Sequence, residues 1–175
     1  MTNIGNYCLD FNREKAVEGI KYITRVVGLT SKYDLAMLCF AAEMIHLQEY
    51  GRPVFNDRYV ALADGAACSG IFSIAADAER HYISGFSVYD NLIKANSDSD
   101  MSLLSESDIS ALDWAIDFSK KNASWKSLCK TDEWKSVHEA SVPSGMVISF
   151  RLMDFKNSVL ALKDGDSLWE YLSKE

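Results

Sequence analysis

A long apolar segment with a defined start and a defined stop constrains this chain most. Ser31 and Asp34 stand at capping-box spacing, which predicts the first turn of a helix. Gly51 stands where a left-handed residue ends a helix, and Pro53 cannot continue one. Apolar side chains lie on most faces between these signals, at Leu35, Met37, Leu38, Phe40, Ala41, Ala42, Met44 and Ile45. The pattern predicts a central buried helix from Ser31 to Tyr50.

Helical periodicity predicts further helices on both sides of the central one. Before it, apolar residues recur after four, three and four positions, at Ala16, Ile20, Ile23 and Val27. After it, Ser105 and Asp108 repeat the capping-box spacing. The predicted helices span residues 10–28, 69–80 and 105–122, with N-caps at Asp10 or Asn12, at Ser69 and at Ser105, and a left-handed stop at Asn122.

Short β-branched or aromatic runs predict a minor β component. Tyr59–Leu62, with Val54-Phe55 across an Asn56-Asp57 turn, predicts an extended or hairpin segment that is broken at Asp64-Gly65. Runs 86–89 and 92–95 precede polar residues 96–100, which predict a hairpin turn or mobile loop. The remaining expected elements are two short helices in 124–140, a turn at 143–145, a strand or helix lead-in at 146–150 and a terminal helix at 167–172.

Length and composition bound the fold class. With 175 residues, 48% of them apolar, the chain is long enough for one ordinary core and needs no disulfide or metal to fold. We therefore expect a single domain over residues 1–175, mainly α (α+β). It would be a compact helical domain around the central helix, with a small β-hairpin or short sheet.

Charge and targeting signals narrow the partners. A net charge of -7 argues against nucleic acid as a partner. The sequence has no signal-peptide pattern and no membrane-length apolar run, so a cytoplasmic location without membrane contact is expected. Four cysteines without a CxxC pair predict reduced thiols, with Cys39 buried and inert. Homo-oligomerisation stays open.

The search for catalytic or cofactor-binding motifs finds none. HExxH, GxSxG, P-loop and dinucleotide fingerprints are absent, so the chain is not expected to be an enzyme or to hold a cofactor or metal. His46 has Glu43 and Glu49 three residues to either side, which a metal or proton-relay site could use. An ordinary, partly exposed histidine between solvated acids is favoured. The acidic residues from Asp98 to Asp108 lack the central glycine of a calcium loop, which favours a solvated turn.

Polar residues around the end of the central helix keep an enzyme hypothesis open. Five of these residues could converge in one pocket, namely Glu43, His46, Arg52, Asp57 and Tyr59. The favoured alternative is a structural corner, in which Arg52 pairs with an acid and Tyr59 packs on the helix. A place in the core is favoured for Trp114, Trp125, Trp134 and Trp169, while the enrichment of tryptophan at binding hot spots keeps an interface role open.

Two ordered blocks of sequence resemble the Panacea domain, the SocA-like antitoxin family. In the first, a helix ends in a tyrosine-glycine-arginine-proline corner and is followed by an aspartate, a tyrosine, an alanine and a glycine: Tyr50, Gly51, Arg52, Pro53, Asp57, Tyr59, Ala61 and Gly65. In the second, a leucine-serine-glutamate helix start precedes a closing tryptophan: Leu104, Ser105, Glu106 and Trp134. The resemblance covers residues 31–134. Ala66 stands where the family has proline, and Lys130-Thr131 replaces its threonine-histidine pair.

The resemblance implies an antitoxin that neutralises a cognate toxin from the same operon by direct protein contact. Alternatives on the same scaffold are a proteolytic adaptor, which delivers the toxin to a protease, and a phage- or prophage-encoded interaction protein. We expect the contact surface to include exposed residues near the corner and the acidic turn, namely Arg52, Asp57, Tyr59, Trp134, Asp98 and Asp100. Acidic charge would steer association with a basic partner.

Overall fold

The computed structural model describes residues 10–139, 151–153, 155–160 and 162–173. Its helices are α1 (Arg13–Val27), α2 (Lys32–Tyr50), α3 (Ser69–Glu79), α4 (Glu106–Lys121), α5 (Asp132–Glu139), α6 (Phe155–Leu160) and α7 (Gly165–Leu172). Its strands are β1 (Thr30–Ser31), β2 (Tyr59–Leu62), β3 (Gly65–Cys68), β4 (Phe86–Tyr89), β5 (Leu92–Ala95) and β6 (Arg151–Leu152). Two 3₁₀ turns lie at Met101–Leu103 and Trp125–Cys129. The mainly α (α+β) prediction is confirmed.

Helix α2 is the centre of the fold, as its sequence predicts. Ser31 accepts a hydrogen bond from the Asp34 amide at its start, and Gly51 ends it with a φ of +68°. Apolar residues on all its faces are buried, since α3, α4 and β3 all pack against it. This arrangement explains why no single apolar stripe is visible in the α2 sequence.

The two small antiparallel sheets differ in detail from the expected hairpins. β2 pairs with β3, after the break at Asp64, and β6 joins its other edge, so Val54-Phe55 is a loop. β4 and β5 form the second hairpin, and β1 pairs with β5. The turn between β4 and β5 is Asp90-Asn91, where both φ angles are positive. Residues 96–100, expected as a hairpin turn or mobile loop, form a loop after β5.

Three helix-end predictions have distinct outcomes. Asn12, rather than Asp10, caps α1 through the Lys15 amide. The predicted cap of α3 was wrong: the carboxylate of Asp57 accepts hydrogen bonds from the first-turn amides of Gly70 and Ile71. The predicted left-handed stop was also wrong, because Asn122 has a φ of −128°.

The C-terminal third follows the prediction only in part: β6 occupies Arg151–Leu152, where the lead-in alternative places a helix over 151–155, and α6 (Phe155–Leu160) was not predicted. The two short helices of 124–140 are the 3₁₀ turn Trp125–Cys129 and α5, and the terminal helix is α7. The predicted turn at 143–145 and the segment 146–150 lie outside the described residues. Within the described residues, no helix combines the length and the apolar character needed to cross a bilayer.

Replacing Leu38 by Ala tests the core. Leu38 lies in α2 with a side chain that is almost fully buried. We expect L38A to lower the free energy of unfolding by about 2–5 kcal/mol, because a cavity remains where the methyl groups were. Urea denaturation measures the change. A loss below about 1 kcal/mol, the range of ordinary surface substitutions, would contradict this packing.

Candidate functional site

A buried glutamate fixes the chain just after α2. The Glu43 carboxylate accepts hydrogen bonds from the amides of Val54 at 3.0 Å and Phe55 at 2.8 Å, and the Tyr59 hydroxyl lies 3.3 Å from it. Its side chain is inaccessible to solvent. Burial, together with the nearby Asp57, raises the pKa of Glu43 to about 8, against the lowering effect of the hydrogen bonds from the two amides and Tyr59. Glu43 therefore anchors the segment from Arg52 to Tyr59, which we call the corner.

Asp57 has an equivalent structural role at the start of α3. Its carboxylate accepts from the amides of Arg58, Gly70 and Ile71 at 2.6, 2.7 and 3.0 Å. Asp57 and Tyr59 are only 5% and 1% exposed. The prediction that they form an exposed contact surface was therefore wrong, because both side chains point into the corner that they stabilise.

His46 lies between α2 and α4, in a polar cluster with Arg52, Ser107 and Asp108 that we call the α2–α4 junction. Its Nδ1 lies 2.6 Å from the Arg52 carbonyl oxygen and its Nε2 lies 3.1 Å from Ser107 Oγ. The ring is fully buried, so the partly exposed histidine expected from sequence is corrected. Of the two acids flanking it in sequence, Glu49 is exposed and Glu43 holds the corner amides.

The hydrogen bonds of His46 define its tautomer. A carbonyl oxygen can only accept, so Nδ1 carries the proton that binds Arg52. Burial lowers the pKa of His46, and the nearby Arg52 and Lys15 charges lower it further. The ring is then neutral near pH 7, which leaves a lone pair on Nε2 that faces the Ser107 hydroxyl.

Asp108 is the buried anion of this junction. Its carboxylate contacts Lys15 Nζ at 2.7 Å, the Ser105 amide at 2.8 Å and Arg52 at 3.2 Å, and Oδ1 lies 3.5 Å from His46 Nε2. Burial alone would raise the pKa of Asp108, but the bonds from Lys15 and Ser105 outweigh it and lower that pKa. Asp108 thus stays ionised.

Arg52 joins the two sequence blocks of the family resemblance. Its guanidinium contacts Asp108 and the hydroxyls of Ser105 and Ser107, which lie more than 50 positions further along the chain. Its side chain remains 47% exposed. The corner alternative, in which Arg52 pairs with an acid and Tyr59 packs on the helix, describes this geometry. Tyr50, Ser105 and Glu106 keep exposed surface beside Arg52.

The other resemblance residues serve packing. Trp134 is buried, as the favoured core expectation predicts, so its expected place on the contact surface was wrong, and its indole donates to the Leu62 carbonyl at 2.8 Å. Ala61 and Leu104 are buried, and a Cβ at Gly65 would lie 2.7 Å from Cys129 Cβ. Pro53 is buried next to the corner amides. Among the other tryptophans, Trp114 is exposed and stacks on Phe118.

The acidic turn lies beside a shallow apolar cavity. Asp98 pairs with Arg25 at 2.8 Å, and Asp100 caps the following 3₁₀ turn through Ser102. Met101 and Leu103 in that turn are 43% and 40% exposed. A cavity of about 350 Å³ opens next to them, lined by Arg13, Glu14, Val17, Glu18 and Leu103. We call these five residues, with Asp100 and Met101, the acidic groove.

The residues that the structure describes include no metal-ligand cluster and no exposed cysteine. No group of three or more histidine, cysteine or acidic residues could hold a metal ion there. Cys39, Cys68 and Cys129 are buried, and burial raises the pKa of each thiol, so their thiolates are disfavoured.

Sequence reasoning missed three members of the polar cluster around His46. They are Lys15 of α1, which pairs with Asp108, and Ser107 and Asp108 of α4. The capping box was recognised, but it identified Asp108 only as a helix cap. No sequence signal placed Ser107 against a histidine 61 positions away. Comparison with protein families, with curated proteins and with solved structures finds no match to this chain.

Proposed function

We propose that this chain is an antitoxin that binds a cognate toxin directly, and that the acidic groove is its contact surface. The observation that carries this proposal is the exposure of Met101 and Leu103 beside a cavity with an acidic border. Exposed apolar side chains next to a concave surface are typical of protein contact sites. The resemblance of residues 31–134 to the antitoxin family supplies the kind of partner.

The charge of the acidic groove favours a basic partner. The cations near it already pair with carboxylates, since Arg13 binds Asp77, Lys21 binds Glu18 and Arg25 binds Asp98. Glu14 and Asp100 stay exposed. A toxin surface with an apolar side chain surrounded by lysines or arginines would complement this arrangement in shape and charge.

Burial of three of the expected contact residues supports a contact surface away from the corner. Asp57, Tyr59 and Trp134 hold the scaffold together, so partner choice falls to exposed residues elsewhere. Specificity between related pairs also needs residues that can vary without unfolding the protein. Met101, Leu103 and Glu14 satisfy that condition.

Co-expression with the product of the adjacent gene tests the proposal. We expect the wild-type chain to restore growth and to co-purify with that protein. L103D should weaken the complex by about 30-fold or more, as loss of a central apolar contact does. Leu128 is 39% exposed against 40% for Leu103, which makes L128D the matched control that keeps the complex. Equal binding by both variants, or a toxic neighbour that is not neutralised, would contradict the proposal.

Two further readouts distinguish the charge contribution and the mode of neutralisation. E14K should slow association and reduce its salt dependence, whereas E49K, with the same change in net charge, should not. Toxin levels separate the adaptor alternative, because growth rescue with toxin loss and without a stable complex would indicate delivery to a protease.

A further inference from the structure

We propose that Ser107 is a nucleophile activated by His46, and that the α2–α4 junction hydrolyses small carboxylic esters. This activity is separate from toxin binding at the acidic groove. The pair has the geometry that acyl transfer requires, with the serine oxygen 3.1 Å from the base nitrogen and the opposite ring nitrogen bound to a carbonyl at 2.6 Å. A nucleophile, an oriented base and a third group that fixes the base are all present.

The proton positions follow from counting donors. Ser105 Oγ accepts from the Asp108 amide and from Arg52, so its own proton is free to bind Ser107 Oγ at 3.0 Å. Ser107 Oγ also accepts from Arg52 at 3.0 Å. Its remaining partner is the lone pair of His46 Nε2, toward which the Ser107 hydroxyl donates. The serine proton therefore already points at the base.

Hydrogen-bond donors lie near Ser107, where an oxyanion would develop. The Arg52 guanidinium contacts Ser107 Oγ, and Arg52 and Ser107 both keep solvent-exposed surface through which an ester can approach. The amides of Glu106 and Ser107 belong to the first turn of α4, where amides have no helical acceptor, and the cap of Ser105 serves only Asp108. These amides and Arg52 can donate to an oxyanion.

Asp108 accounts for the charge that His46 gains. Asp108 Oδ1 lies 3.5 Å from Nε2, and the two form no hydrogen bond while the ring is neutral, because Nε2 then carries no proton and both atoms can only accept. Once Nε2 takes the serine proton, the ionised carboxylate stabilises the imidazolium. Asp108 is thus a positioning and charge-stabilising residue, since it does not touch the reacting atoms.

The reaction balances with water as the only co-reactant. Ser107 Oγ bonds to the acyl carbon while its proton passes to His46 Nε2, and the ester C–O bond breaks as that proton moves to the leaving alcohol. Water then attacks the acyl-serine through the same base, which releases the carboxylic acid and restores Ser107. Ser107 is only partly exposed, which favours short acyl groups such as acetyl.

A fluorophosphonate probe tests the nucleophile without assuming a natural substrate. Ser107 Oγ displaces fluoride from phosphorus, and mass spectrometry locates the adduct. We expect the folded chain to label on Ser107, with labelling of S107A reduced about 100-fold or more. Ser110, on the same helix and exposed, is the matched control, so S110A should label like wild type. The burst of nitrophenol released from p-nitrophenyl acetate should be similar for wild type and S110A and strongly reduced for S107A.

The base has its own readout. H46Q should lower the labelling rate by about 100-fold if it folds, as loss of a general base does. If H46Q does not fold, the wild-type pH profile still decides: the rate should be level from pH 7 to 8 and fall only below the ordinary histidine pKa of 6.5, where Nε2 acquires a proton. Labelling no faster than that of the urea-unfolded chain, or an adduct on another residue, would overturn the proposal.

Discussion

Replacing Glu43 by Ala is expected to lower the free energy of unfolding by about 3–6 kcal/mol, because each buried amide left without an acceptor costs about 1–3 kcal/mol. The two amides are those of Val54 and Phe55, and the carboxyl group that accepts from them is fully buried. The cavity left by the side chain adds to this cost. Urea denaturation of wild type and E43A measures the difference. Glu49 is the control, since it lies in the same helix but is exposed, and E49A should change stability by less than about 0.5 kcal/mol.

The same carboxyl gives stability a pH dependence of defined sign. Its pKa is about 8 in the folded chain against an ordinary value of 4.5, so the folded state holds a proton that the unfolded state releases. The stabilisation is complete below pH 4.5 and is lost as the pH rises towards 8, with a slope of up to about 1.4 kcal/mol per pH unit.

E43Q isolates this contribution from other groups that titrate. His46, with its lowered pKa, acts in the opposite direction, because its contribution is lost as the pH falls through 6.5 and its unfolded form takes up a proton. The stability difference between wild type and E43Q should therefore shrink from pH 5 to pH 8. A difference that is constant over this range would contradict the raised pKa of Glu43.

The central helix could be predicted because its signals are local. Ser31 accepts from an amide three residues away, and Gly51 ends the helix through its own backbone angle. The cap of α3 could not be predicted in this way, because Asp57 reaches amides 13 and 14 positions ahead. The handedness at Asn122 also depends on context, since asparagine tolerates left-handed backbone without requiring it.

The difference between local and long-range signals also explains which properties of the site residues could be predicted. Arg52, His46 and Glu43 were selected because they stand together in sequence near one helix end. The partners of Arg52 and His46 come from α4, which contributes Ser107 and Asp108 from positions 55 to 61 residues away. Amphipathic periodicity does not report contacts of that range, so Asp57 and Tyr59 were expected at the surface. Only the fold shows that they face inward.

Removing the Asp108 carboxylate should destabilise the junction almost as strongly as the loss of Glu43. D108A leaves Lys15, whose side chain is only 13% exposed, without its partner at 2.7 Å. It also removes the acceptor of the Ser105 amide and one acceptor of Arg52. Breaking one side of a buried ion pair costs about 3–5 kcal/mol, and we expect a loss of stability in that range.

A double-mutant cycle separates the buried charge from the lost side chain. K15M/D108A removes both charges, so it should be more stable than the sum of the two single changes predicts, with a coupling of about 1–3 kcal/mol. D117A is the matched control on the same helix, because Asp117 pairs with Lys121 at 3.6 Å with both side chains exposed. Its cost should stay within about 0–1 kcal/mol. Additive effects of K15M and D108A would contradict a buried ion pair at this junction, since uncoupled side chains leave no charge stranded when one of them is removed.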